Sequence, residues 1–283
     1  MAAFRKGLNE TGYVEGQNVT VEYHWLEGQF DRLPALLADL VRRQVAVVAT
    51  PGNIVASLAA KAATATVPIV FGVAEDPVRL GLVANLARPG GNATGINSFS
   101  QEVVAKRLRL LRDLVPKAVR VAVLINPANV SSTETTLREV QKAAPTIGLQ
   151  TQILNATTIS EIDAAFATLA RERSDALFVA PDAFFSSRAV QFATLTAINR
   201  MPASYSTSDF VLTGGLMSYG TDIADTYHQV GVYTGSILKG AKPADLPVLQ
   251  STKFVFAINL QTARALGIEV PPGLLNIADE VIE

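Results

Sequence analysis

The chain has 283 residues, 49% of them apolar and 17% charged, with a formal net charge of −1 and no cysteine. That balance supplies a sizeable core and excludes a disordered chain. The near-zero charge argues against nucleic acid or an anionic membrane surface as a partner. Without cysteine there is no disulfide, no thiol nucleophile and no cysteine-held metal. No uninterrupted apolar run reaches the roughly 18 residues of a membrane span. The opening MAAFRKGLNE does not read as a signal peptide, because its charges follow the apolar residues instead of preceding them.

Strand-like and helical patterns then alternate. VTVEYHW (19–25) alternates like a half-buried strand and RLPALLADLVRR follows with helical spacing. VAVVAT (45–50) precedes the alanine-rich helix IVASLAAKAAT, PIVFGVA (68–74) leads into VRLGLVANL, and ATGINSF (93–99) is a further strand. This βα rhythm predicts a parallel sheet covered on both faces. A second series begins near residue 119. RVAVLIN (120–126), LQTQILNA (149–156) and DALFVAP (175–181) each precede a helical stretch, and PASYST and GGLMSYG add two short strands. The last 65 residues break the rhythm: DIADTYHQVGVYTGSILKG is a long helix stopped at Lys239-Gly240, and a strand, a short helix and PPGLLNIADEVIE follow. The expected architecture is α/β, with two doubly wound parallel-sheet lobes and a ligand cleft between them. The lobes comprise residues 1–98 with 220–250, and 99–219 with 251–283, with joints near Phe99 and Tyr219.

In open α/β sheets ligands bind beyond the carboxyl ends of the strands, where helix N-termini also point. Those ends carry Thr50, Pro51, Gly52 and Asn53; Glu75 and Asp76; Asn126, Asn129, Ser131 and Ser132; and Asp182. Each also has a bland structural reading, and for Glu75 that reading is simple solvation. Asn53 and Asp76 suit helix N-caps, with Pro77 at the first helical position, and Ser131 to Glu134 matches a capping box. The aromatics Phe184, Phe185, Tyr205, Phe210 and Tyr219 fall near the expected cleft or hinge. Signatures of catalysis are missing: there is no G-x-S-x-G, H-E-x-x-H or P-loop pattern, and His24 and His228 sit on separate elements. GGNATG (90–95) precedes a strand, the wrong context for a dinucleotide loop, and reads as a turn.

Four stretches carry a resemblance: GYVEGQNVTVEYHWLEG, DRLPALLADLVRRQV, LAAKAATATVPIVFGVAEDPVRLGLVANLARPGGNATGI and LPVLQSTKFVFAINLQTARALGIEVPPGLL. They closely resemble ABC-transporter substrate-binding proteins of the tryptophan- and phenylalanine-binding type, over nearly the whole chain. The resemblance implies a periplasmic-binding-protein fold of the three-crossover type. It implies closure of two lobes on a small ligand, delivery to a membrane permease, a periplasmic location, no cofactor and no catalysis. It also places the loop after 45–50, the Asp76 turn, the Asn126–Ser132 loop and Asp182 in ligand-contacting segments. Where relatives often read GGTPAA, this chain has TPGNIVA, so Asn53 replaces a capping hydroxyl.

The expected ligand is an amino acid with an apolar or aromatic side chain. Helix N-termini after residues 53 and 131 would hold its carboxylate, Asp76 or Asp182 its ammonium, and Phe184 or Tyr219 its side chain. Two other readings compete: a racemase- or hydrolase-like enzyme on similar lobes, disfavoured by the missing acid–base motif, and a repressor-like effector domain, which would need a DNA-binding head. Relatives begin with a strand and loop before the helix that matches AAFRKGL. The first strand of the N-terminal lobe is therefore expected to be missing here, its slot closed by neighbouring strands or filled in trans in a homodimer.

Overall fold

The computed structural model describes residues 1–26, 29–98 and 101–283, apart from the side chains of Gln101, Glu102 and Ser131. The expected joint at Phe99 lies outside the described residues. In chain order the elements are α1 (Ala2–Glu10), α2 (Leu33–Arg42), β1 (Val48–Pro51), α3 (Ile54–Ala63), β2 (Ile69–Val73), β3 (Ala93–Asn97) and α4 (Gln101–Leu114). Next come β4 (Arg120–Ile125), α5 (Val130–Thr146), β5 (Gln150–Asn155), α6 (Ile159–Glu172), β6 (Ala176–Val179), α7 (Ala183–Ser186), α8 (Ala189–Ile198) and β7 (Ala203–Tyr205). The chain closes with α9 (Ser208–Leu212), β8 (Met217–Thr221), α10 (Ile223–Leu238), β9 (Leu249–Gln250), β10 (Phe254–Asn259), α11 (Leu260–Leu266), α12 (Pro272–Leu275) and β11 (Glu280–Ile282). Two compact units result, Met1–Phe99 with Asp222–Lys253, and Ser100–Thr221 with Phe254–Glu283.

The first unit holds a parallel sheet in the order β1-β2-β3-β9. All five residues of β2 are buried, which is why IVFGV reads as a continuous apolar run. Ile69, Phe71 and Val73 pack with Leu33, Leu37 and Leu40 of α2. Val70 faces the other way, with Phe4 and Leu8 of α1 and Val230, Tyr233 and Ile237 of α10. The α1–α10 crossing is close because glycines line it. A Cβ on Gly231 would stand 2.1 Å from the Phe4 carbonyl oxygen, and one on Gly7 2.0 Å from that of His228. Only glycine permits that approach.

The second unit has seven strands, ordered β11-β10-β8-β7-β6-β4-β5, parallel except for the antiparallel pair β8–β10. Alternate residues of β4 feed two cores. Val121, Val123 and Ile125 pack with Leu108 and Leu111 of α4, and Ala122 and Leu124 with Phe166 and Phe192. From β4 the chain steps outward to β5 and then returns to the other side of β4 as β6. The strand order therefore reverses between β4 and β6, the kind of point where α/β sheets open a crevice.

Three local expectations change. VTVEYHW forms no ladder; residues 20–26 carry no regular secondary structure, and only Val19 bridges, to Glu15. Alternation fixes which side chains turn inward, and Val19 and Val21 do pack on the α1–α10 cluster, but a strand also needs a neighbouring backbone. VRLGLVANL is a chain of turns, since Gly81 adopts φ +72°, left-handed geometry that stops a helix. The cap of α5 is Asn129, whose Oδ1 accepts from Ser132 N, so the helix starts before the expected capping box.

Candidate functional site

In the first unit the carboxyl ends of β1 and β2 lie side by side. Gly52 N donates to the Gly72 carbonyl at 2.8 Å, and Gly52 itself adopts φ +74°. Asn53 caps α3, its Oδ1 accepting from Ala56 N at 2.9 Å. Beneath, the buried hydroxyls of Thr50 and Ser57 are 2.9 Å apart, and Ser57 Oγ donates to the Asn53 carbonyl. The first turns of α10 pack onto these ends. A Cβ on Gly72 would stand 3.3 Å from Thr226 Cγ2, and one on Gly52 3.3 Å from Tyr227 Oη. Burial pushes the Tyr227 phenol up. Tyr227 joins the candidate set through its approach to Gly52; the sequence signal for that approach was only the glycine at the end of β1, where a side chain would crowd the phenol.

The two adjacent acids after β2 differ. Asp76 Oδ1 accepts from Val78 N at 2.9 Å and Arg79 N at 3.3 Å, capping a turn in place of the expected helix. Glu75 is half-buried. Its backbone carbonyl accepts from Asn97 Nδ2 at 2.8 Å, which fixes the residue against β3. Burial raises its carboxyl above the ordinary range, against the opposing pull of the Glu75 and Ala74 backbone N–H groups. No basic side chain among the described residues pairs with it.

In the second unit the loops after β4 and β6 meet at the strand-order reversal. Asp182 caps α7: its Oδ1 accepts from Phe184 N at 2.9 Å, Phe185 N at 3.2 Å and Asn126 Nδ2 at 3.1 Å. Its Oδ2 accepts from Asn129 Nδ2 at 3.0 Å. Ser132 Oγ reaches the Pro181 carbonyl at 2.6 Å, and Thr133 Oγ1 the Asn126 carbonyl at 2.8 Å. Asn126, Asn129, Ser132 and Asp182 are thus brought together, while the side chain of Ser131 lies outside the description. The net is closed: the Asp182 carboxylate already has its donors, so it organises the loop.

The aromatic candidates separate as well. Phe184 is half-buried at this turn, 5.8 Å from the Phe185 ring, with the Arg188 guanidinium 5.9 Å from its centroid. Tyr205 is 0% exposed, stacked on Phe210 at 4.4 Å, and burial pushes its phenol well up. It is a core residue, not a surface contact, because the residues of so short a buried strand point into one core or the other. Phe185 and Phe210 share that core. Tyr219 is half-buried on β8, beside Phe254 at 5.9 Å and Phe256 at 6.3 Å. Among the described residues no group of three or more acids and histidines could hold a metal. No helix among them is long and apolar enough to cross a membrane.

Residues 1–282 match the family model of the ABC transporter substrate binding protein. A tyrosine-binding protein of Clostridioides difficile (strain R20291) is 26% identical over 269 residues, covering 94% of this chain and 76% of the relative. A solved ABC domain from Streptococcus pneumonia, in complex with L-Trp, superposes with a TM-score of 0.89 at 26% identity, covering 99% of this chain and 93% of its own. A conserved domain protein from Vibrio cholerae matches with the same TM-score and coverages at 25% identity. The fold is that of the type I periplasmic binding proteins.

Proposed function

The chain belongs to the ABC transporter substrate-binding proteins, a solute-binding and non-catalytic family of the extracellular or periplasmic type. On that premise we propose that it captures a free amino acid with an aromatic or large apolar side chain, outside the cytoplasmic membrane, for a partner permease. The observation that carries the ligand class is Glu75, a half-buried carboxylate at the carboxyl end of β2 with no basic partner among the described residues. A buried charge left this way costs stability, and a ligand ammonium removes the cost on binding. That chemistry selects an amine, and the two relatives named for tyrosine and L-Trp each concern an aromatic amino acid.

In this reading Glu75 takes the ammonium, where Asp76 and Asp182 were expected to. Asp76 is a turn cap and Asp182 already accepts from four donors. Asn53 and Asn129 leave backbone N–H groups at the first turns of α3 and α5 for the ligand carboxylate. Phe184 and Tyr219 of the second unit and Tyr227 of the first are the aromatic candidates for contact with the ligand's side chain. The reading is of a single chain, and nothing in the comparisons supports the expected homodimer.

Calorimetry with L-tyrosine, L-tryptophan, L-phenylalanine and L-leucine tests it, beside the desamino acid of each. Saturable binding that needs the ammonium is the expected result. Binding of the desamino acids as tightly as the amino acids would overturn the reading, as would no binding of any.

A further inference from the structure

Arg107 lies in the core of the second unit with 0% of its surface exposed. Helical spacing puts it there: Val104, Leu108 and Leu111 are all buried, and position 107 falls on the same stripe of α4. Its Cζ stands 3.8 Å from the Phe178 ring centroid. Nη2 donates to the Val179 carbonyl at 2.7 Å, while Nε and Nη1 have no hydrogen-bond partner among the described residues. Burial pulls its pKa down to about 9. A buried cation with no carboxylate is expensive to keep, and an apolar residue of similar length would serve the core better.

What the guanidinium holds gives the reason. Leu177 N points towards β7, donating to the Pro202 carbonyl, and Ala180 N points the other way, to Leu124 of β4. By strand alternation the Val179 carbonyl therefore faces β7. The β6–β7 ladder has already ended at the pair Phe178 and Ser204. Arg107 supplies the hydrogen bond that the ladder no longer gives, three residues before Asp182.

We infer that Arg107 is a positioning residue for ligand binding: it clamps the carboxyl end of β6 so that the Asp182 turn is held in its binding geometry. The part of this that concerns ligand rests on the function proposed above. The clamp itself does not.

Two variants test it, Arg107→Met and Arg107→Lys, each read by urea midpoint, by amide hydrogen exchange and by affinity for L-tyrosine and L-tryptophan. Arg107→Met removes a buried uncompensated charge, so the midpoint should hold or rise. The Phe184 and Phe185 amides, which Asp182 caps, should nevertheless exchange about tenfold faster or more through local opening. Affinity should fall by about tenfold. Arg107→Lys keeps one donor and should recover part of both losses. Unchanged exchange at Phe184 and Phe185 in both variants would overturn the clamp. So would a lowered midpoint with all amides of the second unit loosened together, since that marks an ordinary structural group. Faster exchange with wild-type affinity would overturn the binding role. If the unaltered protein binds neither amino acid, the ligand reading fails and takes the binding role with it, while the exchange data still decide the clamp.

Discussion

Asp182 and Glu75 hold equivalent places, each in the loop that follows a buried parallel strand of its own unit, yet one is caged and the other is not. Asp182 accepts from two backbone N–H groups and from the amides of Asn126 and Asn129. Among the described residues Glu75 has the backbone N–H groups of its own turn as its donors, and burial raises its carboxyl. The difference shows that position at a strand end marks a candidate, while the state of its hydrogen bonds decides what it does. A satisfied acid builds the loop. The acid with backbone donors alone is the one we propose for the ligand ammonium.

The largest expected effect breaks the caged side. Asp182→Ala leaves two side-chain amides and two backbone N–H groups without their acceptor, which should cost roughly 2–4 kcal/mol of stability. Urea unfolding followed by a probe in the second unit checks this, and a loss under about 0.5 kcal/mol would show that the net is dispensable.

On the open side, Glu75→Gln should weaken amino-acid binding by roughly ten- to a hundredfold, the worth of a charge-assisted hydrogen bond of about 1.5–3 kcal/mol. Its effect on the empty protein should have the opposite sign. Burial raises the folded-state pKa, so the stability tied to protonated Glu75 is fully present below the unfolded value of about 4.3 and is lost as pH rises through the raised one. Glutamine stays neutral. The variant should therefore gain stability over the wild type as pH rises from about 4 to 7. Parallel melting curves across that range would sink the assignment.

A third variant separates fold from site in the first unit. Gly231→Ala places a methyl 2.1 Å from the Phe4 carbonyl oxygen and should cost roughly 1–3 kcal/mol by overpacking. Affinity measured well below the melting temperature should stay within about twofold. The smallest effect is expected from Asp76→Asn. Asparagine caps as well as aspartate, so stability should change by less than about 0.5 kcal/mol, with affinity unaltered. A large binding loss here would move the ammonium partner back from Glu75 to Asp76.

The parallel α/β fold was legible because strands covered on both faces show as unbroken apolar runs, as in IVFGV and RVAVLI. What failed was whatever depends on a neighbour. VTVEYHW has strand alternation without a ladder, and VRLGLVANL has apolar spacing that Gly81 interrupts. The cage around Asp182 could not be read either, because its amides come from residues 53 and 56 positions away. Which acid is satisfied is a tertiary fact. Arg107 is a different case. Its place on the stripe of Val104, Leu108 and Leu111 is visible in the spacing, but α4 also carries Lys106, Arg109 and Arg112, and nothing in the residue types marks which of these charges is the buried one.

The crossing of α1 with α10 also governs the order in which the chain can fold. Phe4 and Leu8 find their cover on a helix that starts at Ile223, and β9, at Leu249–Gln250, is the last strand to join the first sheet. At roughly 5–20 residues per second, synthesis leaves the face of the first helix uncovered for about ten to fifty seconds. All the parallel strands from β4 to β8 emerge in that interval, so the second unit has most of its sheet before the first can close. Contacts this distant in sequence make closure slow. Helix α1 is made before every strand of both sheets, yet it is among the last elements to dock.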